Sequence, residues 1–203
     1  MLLYVKEHFA NEKRIGGKKM SNWNIYKEKL KDKGNIILIG FMGAGKSSVS
    51  RYLNQTLGLE VVEMDQEIVE REGMSIADIF ANHGEEYFRN LETNLLIEMQ
   101  SKNNVVVSCG GGAAMRERNV TEMKKNGKVV LLTAKPETIY ERVKDSTERP
   151  LLNGNMNVKY IAGLMEKRRD KYEAAADIVI FTDGKTVSEI CEELLKKFIG
   201  ETE

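Results

Sequence analysis

The chain has 203 residues, 41% of them hydrophobic, which suits one domain with a proper core and at most a small appendage. Lys plus Arg and Asp plus Glu both number 31, so the overall charge points neither to nucleic acid nor to an acidic surface as partner. Two cysteines, Cys109 and Cys191, make neither a disulfide framework nor a metal site. With no apolar run near the roughly 18 residues that span a bilayer and no signal-peptide pattern, they predict a cytoplasmic protein without a membrane partner.

Residues 1–33 carry 9 basic and 4 acidic side chains and are broken at Gly16-Gly17-Lys18-Lys19. Trp23, Tyr26 and Leu30, spaced by three and four, predict a short helix over about 22–33. The stretch reads either as a basic extension, flexible or lying on the surface of a domain at 34–203, or as a partner-docking helix. Met20 is a second candidate start.

The apolar run Ile36 to Ile39 ends in Gly40, and Gly40-Phe41-Met42-Gly43-Ala44-Gly45-Lys46-Ser47 fits the P-loop pattern G-x-x-x-x-G-K-[ST]. A buried strand before it and a helix with apolar Val49, Tyr52 and Leu53 after it are the flanks the motif requires. Glycine lets the backbone fold around a polyphosphate, because no Cβ blocks the approach. Loop N–H groups and the helix N-terminus then present positive potential. Gly43, Ala44, Gly45, Lys46, Ser47 and Ser48 are the expected nucleotide-binding residues, with Lys46 on the outer phosphates and Ser47 on Mg²⁺.

Gly58 reads as the C-cap of this helix. Leu59 to Val62 is a second strand, ending at Glu63-Met64-Asp65, and a helix follows through Ile68 and Val69 to Gly73. Ser75-Ile76-Ala77-Asp78 is like a capping box and opens a helix that Gly84 interrupts. A longer helix over 85–100 puts Phe88, Leu91, Leu95, Leu96 and Met99 on one side. Val105 to Val107 is a third, buried strand running into Gly110-Gly111-Gly112. A helix ending near Gly127, a strand over 128–132 and a helix with Pro136 as its first residue come next. Residues 145–157 lack periodicity and predict a mobile loop. A helix over 160–172, a strand from Ile178 to Phe181 and a last helix through Val187, Ile190, Leu194, Leu195 and Phe198 complete the chain. This alternation predicts an α/β fold, a five-stranded parallel sheet with helices on both faces and ligands at the carboxyl ends of its strands.

A P-loop alone leaves ATPases, GTPases, nucleotide kinases and small-metabolite kinases open. Here it is followed in order by Asp65, Phe88-Arg89-Asn90-Leu91-Glu92, Gly110-Gly111-Gly112, Arg149-Pro150-Leu151-Leu152 and Arg168…Tyr172. Over about residues 34–199 this series resembles the shikimate kinase family. The resemblance implies a P-loop kinase of the nucleoside-monophosphate-kinase type with a closing lid over about 145–157. It implies transfer of the ATP γ-phosphoryl group to the 3-hydroxyl of shikimate, in aromatic amino-acid biosynthesis. ATP as co-substrate, Mg²⁺, a small-molecule partner and a monomeric state are expected with it.

Phosphoryl transfer needs in-line alignment, a metal, cations on the migrating group and a base for the incoming hydroxyl. By resemblance Lys46, Asp65 and Arg149 are the catalytic residues. Asp65 matches the carboxylate that contacts the acceptor hydroxyls; the alternative is a helix N-cap. Arg89 and Arg168 match two arginines whose guanidinium forks suit the shikimate carboxylate. Glu92, three residues after Arg89, is placed to orient it. Arg169 is the alternative to Arg168, but the Arg-x-x-x-Tyr spacing to Tyr172 favours Arg168. Gly110, Gly111 and Gly112 would let amides approach substrate and γ-phosphate. Arg149 would swing in from the lid. Arg142 matches a residue that stacks on adenine, or is a solvated helix charge. Phe80 and Phe88 wall the substrate ring or are core aromatics.

The sequence departs from the family pattern in three places. Glu63 stands where the first of two aspartates usually helps to hold Mg²⁺ through water; it keeps the charge and adds a methylene. Ser47 and Glu63 are the expected metal residues. Asp170-Lys171 replaces a common Pro-Leu, which makes the helix beneath Arg168 more regular. Cys109, where threonine is frequent, reads as a small buried residue. The rival readings are a gluconate-type small-metabolite kinase and a non-catalytic ligand sensor.

Overall fold

The computed structural model describes residues 19–144 and 157–201, with side chains from residue 23 onward. The expected lid apart from Asn157, and Arg149 with it, lies outside the described residues.

Five strands, β1 (Asn35–Ile39), β2 (Glu60–Glu63), β3 (Val105–Ser108), β4 (Gly127–Thr133) and β5 (Ile178–Phe181), form one sheet in the order β2-β3-β1-β4-β5. Every pairing is parallel, and β1 sits at the centre with Ile37 level with Val107 on one side and Val129 on the other. Its five residues are all buried, as expected of a strand covered on both faces. Pleating sends Ile36 and Leu38 into one core, with Leu53, Val130, Leu132, Leu194 and Phe198. Ile37 and Ile39 enter the other, with Phe88, Leu95, Leu96, Val107 and Met123. Asn35 secures the start of the strand. Its Nδ2 donates to the Met99 and Lys102 carbonyls, and its Oδ1 accepts from the Val105 N–H.

The helices among the described residues are α1 (Lys19–Leu30), α2 (Lys46–Leu57), α3 (Met64–Glu72), α4 (Ile76–Met99), α5 (Glu117–Lys125), α6 (Pro136–Val143), α7 (Val158–Ala175) and α8 (Val187–Ile199). α2 and α3 end on left-handed glycines, Gly58 and Gly73. α4 is interrupted where the sequence predicts: Gly84 (φ 82°, ψ 170°) is non-helical, so α4 is two helical segments that meet at a kink. Ser75 caps it by accepting from the Asp78 N–H, while the short Asp78 carboxylate takes the Ser75 hydroxyl and does not reach back to the backbone. A complete capping box closes between Thr186 and Glu189 at the start of α8.

α1 begins earlier than the sequence predicts and stops at Leu30, because Asp32 (φ 63°) and Gly34 (φ 81°) turn the chain. Tyr26 and Leu30 are buried in the first core, and Trp23 meets Tyr52 of α2 edge-on at 5.8 Å. Lys29 pairs with Glu201 just beyond α8.

Candidate active site

The P-loop follows β1. Gly40, Gly43 and Gly45 hold φ of 139°, 77° and 106°, backbone that side-chain-bearing residues rarely adopt. A Cβ on Gly40 would also strike the Leu132 carbonyl of β4. Lys46 Nζ donates to the Gly40 and Phe41 carbonyls, at 2.8 and 3.2 Å. Ser47 Oγ donates to Glu63 Oε2 at 2.9 Å, and the buried Ser50 donates to Glu63 Oε1 at 2.5 Å. Glu63 at the end of β2 is thus held at both oxygens from the first turns of α2. Ser50 was not singled out from the sequence, since nothing in a helical serine shows which carboxylate it will face. Ser48, on the same first turn, is exposed.

Arg142 of α6 is exposed and at the same time engaged by the P-loop and by Thr182. Its Nη1 donates to the Gly43 carbonyl and to Thr182 Oγ1, at 3.2 and 3.0 Å, and its Nη2 to the Thr182 carbonyl at 3.1 Å. It ties the P-loop to the chain beyond β5.

The glycine run after β3 forms the opposite wall, and each glycine has its own reason. A Cβ on Gly110 would fall within 3.0 Å of Asp65 Oδ1, and one on Gly112 would sit 2.6 Å from Arg89 Nη2. Two of the glycines therefore make room for site side chains. Gly111 presents its carbonyl, which accepts from Tyr172 Oη at 2.5 Å and from Arg168 Nη1 at 3.3 Å. Arg168 and Tyr172 are one turn apart on α7, and Arg168 also lies over the Phe41 ring, 5.8 Å from its centroid. Arg169 pairs with Glu166 and Asp170 instead. Lys171, one of the departures, donates to the Met115 carbonyl at 2.9 Å and fastens α7 beside the same turn.

Arg89 is gripped along its own helix, by Glu92 Oε2 at 3.0 Å and Glu85 Oε1 at 2.9 Å. Phe88 is buried and meets Phe80 edge-on at 5.0 Å; Phe80 is 38% exposed, so only Phe80 keeps an open face. The N-cap of α3 is Glu63, which corrects the alternative of Asp65 as cap; Asp65 lies within the first turn.

Electrostatics separate the carboxylates. Asp65 reaches solvent through the cleft, yet the protein around it desolvates it and raises its pKa, with Glu63 adding to the rise and Lys46 and Arg89 opposing it. Glu92 is fully buried, and burial lifts it to about 7 against the pull of Arg89 and Asn119. The Cys109 thiol, behind this wall, is pushed up strongly by burial. A groove of about 530 Å³ lined by Lys124, Lys128, Asp177 and Lys197 lies at the amino-terminal ends of β4 and β5, away from these groups. Its lysines are engaged by Asp177, the Phe198 and Val179 carbonyls and Glu193.

A P-loop, a carboxylate and two arginines stand at the carboxyl ends of a five-stranded parallel sheet, and known proteins are similar to the chain in sequence and fold. The family model for shikimate kinase matches residues 42–199. A shikimate kinase of Dehalococcoides mccartyi is 44% identical over 165 residues, 81% of this chain and 93% of the relative. One from Persephonella marina is 47% identical over 161 residues, covering 79% and 96%. The solved structure of Acinetobacter baumannii shikimate kinase in complex with shikimate superposes with a TM-score of 0.76 at 32% identity, over 83% of this chain and 94% of that one. Motif, fold and a likeness that spans most of the chain agree, and the chain belongs to the shikimate kinase family.

Proposed function

We propose that this protein transfers the γ-phosphoryl group of ATP to the 3-hydroxyl of shikimate, as a step of aromatic amino-acid biosynthesis. The observation that carries this reading is the pair of side chains laid on the glycine run, Asp65 against Gly110 and Arg89 against Gly112, with Asp65 in the field of Lys46. A carboxylate beside a phosphate cradle suits a base for an incoming hydroxyl. A guanidinium braced by a buried carboxylate suits a fork for the substrate's own carboxylate.

In this reading the amides of Gly43 to Ser48 and the Lys46 ammonium receive the outer phosphates, Lys46 exchanging loop carbonyls for phosphate oxygens. Asp65 accepts the hydroxyl proton, and its raised pKa makes it a stronger base than a free aspartate. Arg89 and Arg168 orient the carboxylate from two helices, with Phe80 along the apolar side of the ring. Arg142, anchored on the P-loop, shapes the adenine end, and Arg149 supplies a cation from the lid. Ser47 and Glu63 fit Mg²⁺, being hard oxygen donors 2.9 Å apart. Among the described residues no cluster of three metal-ligating side chains occurs, and Mg²⁺ commonly takes one or two protein groups with phosphates and water. The ion would neutralise charge on the phosphates.

We further propose a cytoplasmic monomer, with residues 34–203 as the kinase unit and 1–33 as an addition. The balanced charge supports the lack of a nucleic-acid partner, and no described helix is long and apolar enough to cross a membrane. A coupled assay of ADP release across shikimate, quinate, gluconate and nucleoside monophosphates tests the function. Shikimate is the expected preferred acceptor, and preference for another overturns the reading. Lys46→Met should abolish turnover; binding without turnover in the wild type would favour a sensor.

A further inference from the structure

Three polar side chains lie behind the acceptor wall, Glu92 and Thr93 on α4 and Asn119 on α5, each 0–1% exposed. Polar groups at this depth persist when they are hydrogen-bonded. Asn119 is bonded on three sides. Its Nδ2 donates to Glu92 Oε2 at 3.3 Å and to the Ala113 carbonyl at 3.1 Å, and its Oδ1 accepts from Thr93 Oγ1 at 2.5 Å. Glu92 Oε2 is also the atom to which Arg89 Nη1 donates. Ala113 directly follows Gly112, on which the Arg89 guanidinium rests. One amide therefore joins the helix that carries Arg89 to the turn that Arg89 lies on. Glu92 Oε1 accepts no hydrogen bond from a described residue, so Oε2 sets the orientation of that carboxylate.

We propose that Asn119 is a positioning residue for recognition of the substrate carboxylate, holding Glu92 and the turn after the glycine run in one register and so fixing the Arg89 fork. This rests on the shikimate reading above and deepens it. The clearance makes register matter. A Cβ on Gly112 would meet the guanidinium at 2.6–2.9 Å, so α4 and the turn cannot slide past each other without moving Arg89. Asparagine meets the need and an aspartate of the same shape does not. Nδ2 faces two acceptor oxygens, and a carboxylate oxygen in its place would face them with no proton to give.

The test compares kcat/KM for shikimate and for its carboxamide in full-length wild type, Asn119→Asp and Met123→Ala. Met123 is buried in the core from the same helix and makes no part of the hydrogen-bond network. In Asn119→Asp the preference for carboxylate over carboxamide should fall about tenfold or more, as for a lost charge-assisted contact. The loss should sit in the shikimate KM, with the ATP KM within about twofold of wild type. Met123→Ala should lower Tm and leave the preference unchanged. A wild-type preference in Asn119→Asp overturns the proposal, and so does an equal loss in Met123→Ala. Should Asn119→Asp not fold, Asn119→Ser, which shortens the reach to Glu92 without adding charge, serves in the same comparison. A wild type that does not phosphorylate shikimate overturns the underlying reading, and this inference with it. Loss of the preference in Arg89→Lys but not in the Asn119 variants overturns this inference alone.

Discussion

Replacing Glu92 by glutamine removes a proton-binding group from the interior at nearly constant shape. Burial moves this carboxyl from its ordinary value of 4.5 to about 7, with Arg89 and Asn119 pulling the other way and Asp65 adding to the rise. A shift of that size corresponds to about 3 kcal/mol between the two protonation states. Between pH 4.5 and about 7 the native protein holds this proton and the unfolded chain has released it, so stability falls as pH rises through the window. Below the window both states are protonated and the difference vanishes; above it the full cost of the buried anion stands. Denaturant unfolding of wild type and Glu92→Gln at several pH values across this range measures the effect. Carboxylates common to both proteins cancel in the difference. The variant should gain on the wild type by an amount approaching about 3 kcal/mol from the acid to the alkaline end. A difference flat to within about 0.5 kcal/mol, well below the shift's worth, would refute a proton held at Glu92.

The glycine wall makes a second test: Gly112→Ala adds a Cβ 2.6 Å from Arg89 Nη2 at a position whose φ, −102°, alanine accepts. The shikimate KM should rise about tenfold to a hundredfold with the ATP KM unchanged, and steady-state kinetics showing no rise would remove Arg89 from carboxylate binding. Ser50→Ala frees one oxygen of Glu63, so the magnesium concentration for half-maximal activity should rise about tenfold. Glu63→Gln that leaves the magnesium requirement and turnover untouched would take Glu63 out of the metal site. Cys109 and Cys191 are buried thiols with strongly raised pKa, so a thiol-exchange reagent should react with neither until the protein unfolds. Fast reaction of either in the native protein would contradict their burial.

Where the sequence was legible, the signal was local. A short unbroken apolar run leading into a P-loop suits a strand covered on both faces, and β1 is that strand. Gly58, Gly73 and Pro136 mark helix ends because their backbone preferences do not depend on the rest of the chain. The order of the site motifs identified the family, but the reason for three glycines did not show: two clear space for Asp65 and Arg89, side chains 45 and 23 residues upstream in sequence. Asn119 and Ser50 went unnoticed on the same ground. Burial of a lone polar side chain is a tertiary fact, and neither sits in a pattern that foretells its partner. The Thr186–Glu189 box was a missed local signal, since Thr-x-x-Glu stands openly before the last helix.

The aromatic contact between the first two helices has an optical consequence. Trp23 is the chain's sole tryptophan, and Tyr26 and Tyr52 each lie 5.8 Å from it, edge-on. Ultraviolet light absorbed by either tyrosine has an acceptor at contact range. Tyr52 belongs to the helix whose opening residues form the phosphate cradle, so the indole monitors the far side of that same rigid rod. Its emission is a label-free gauge of how firmly α1 stays seated while ligands come and go at the other end.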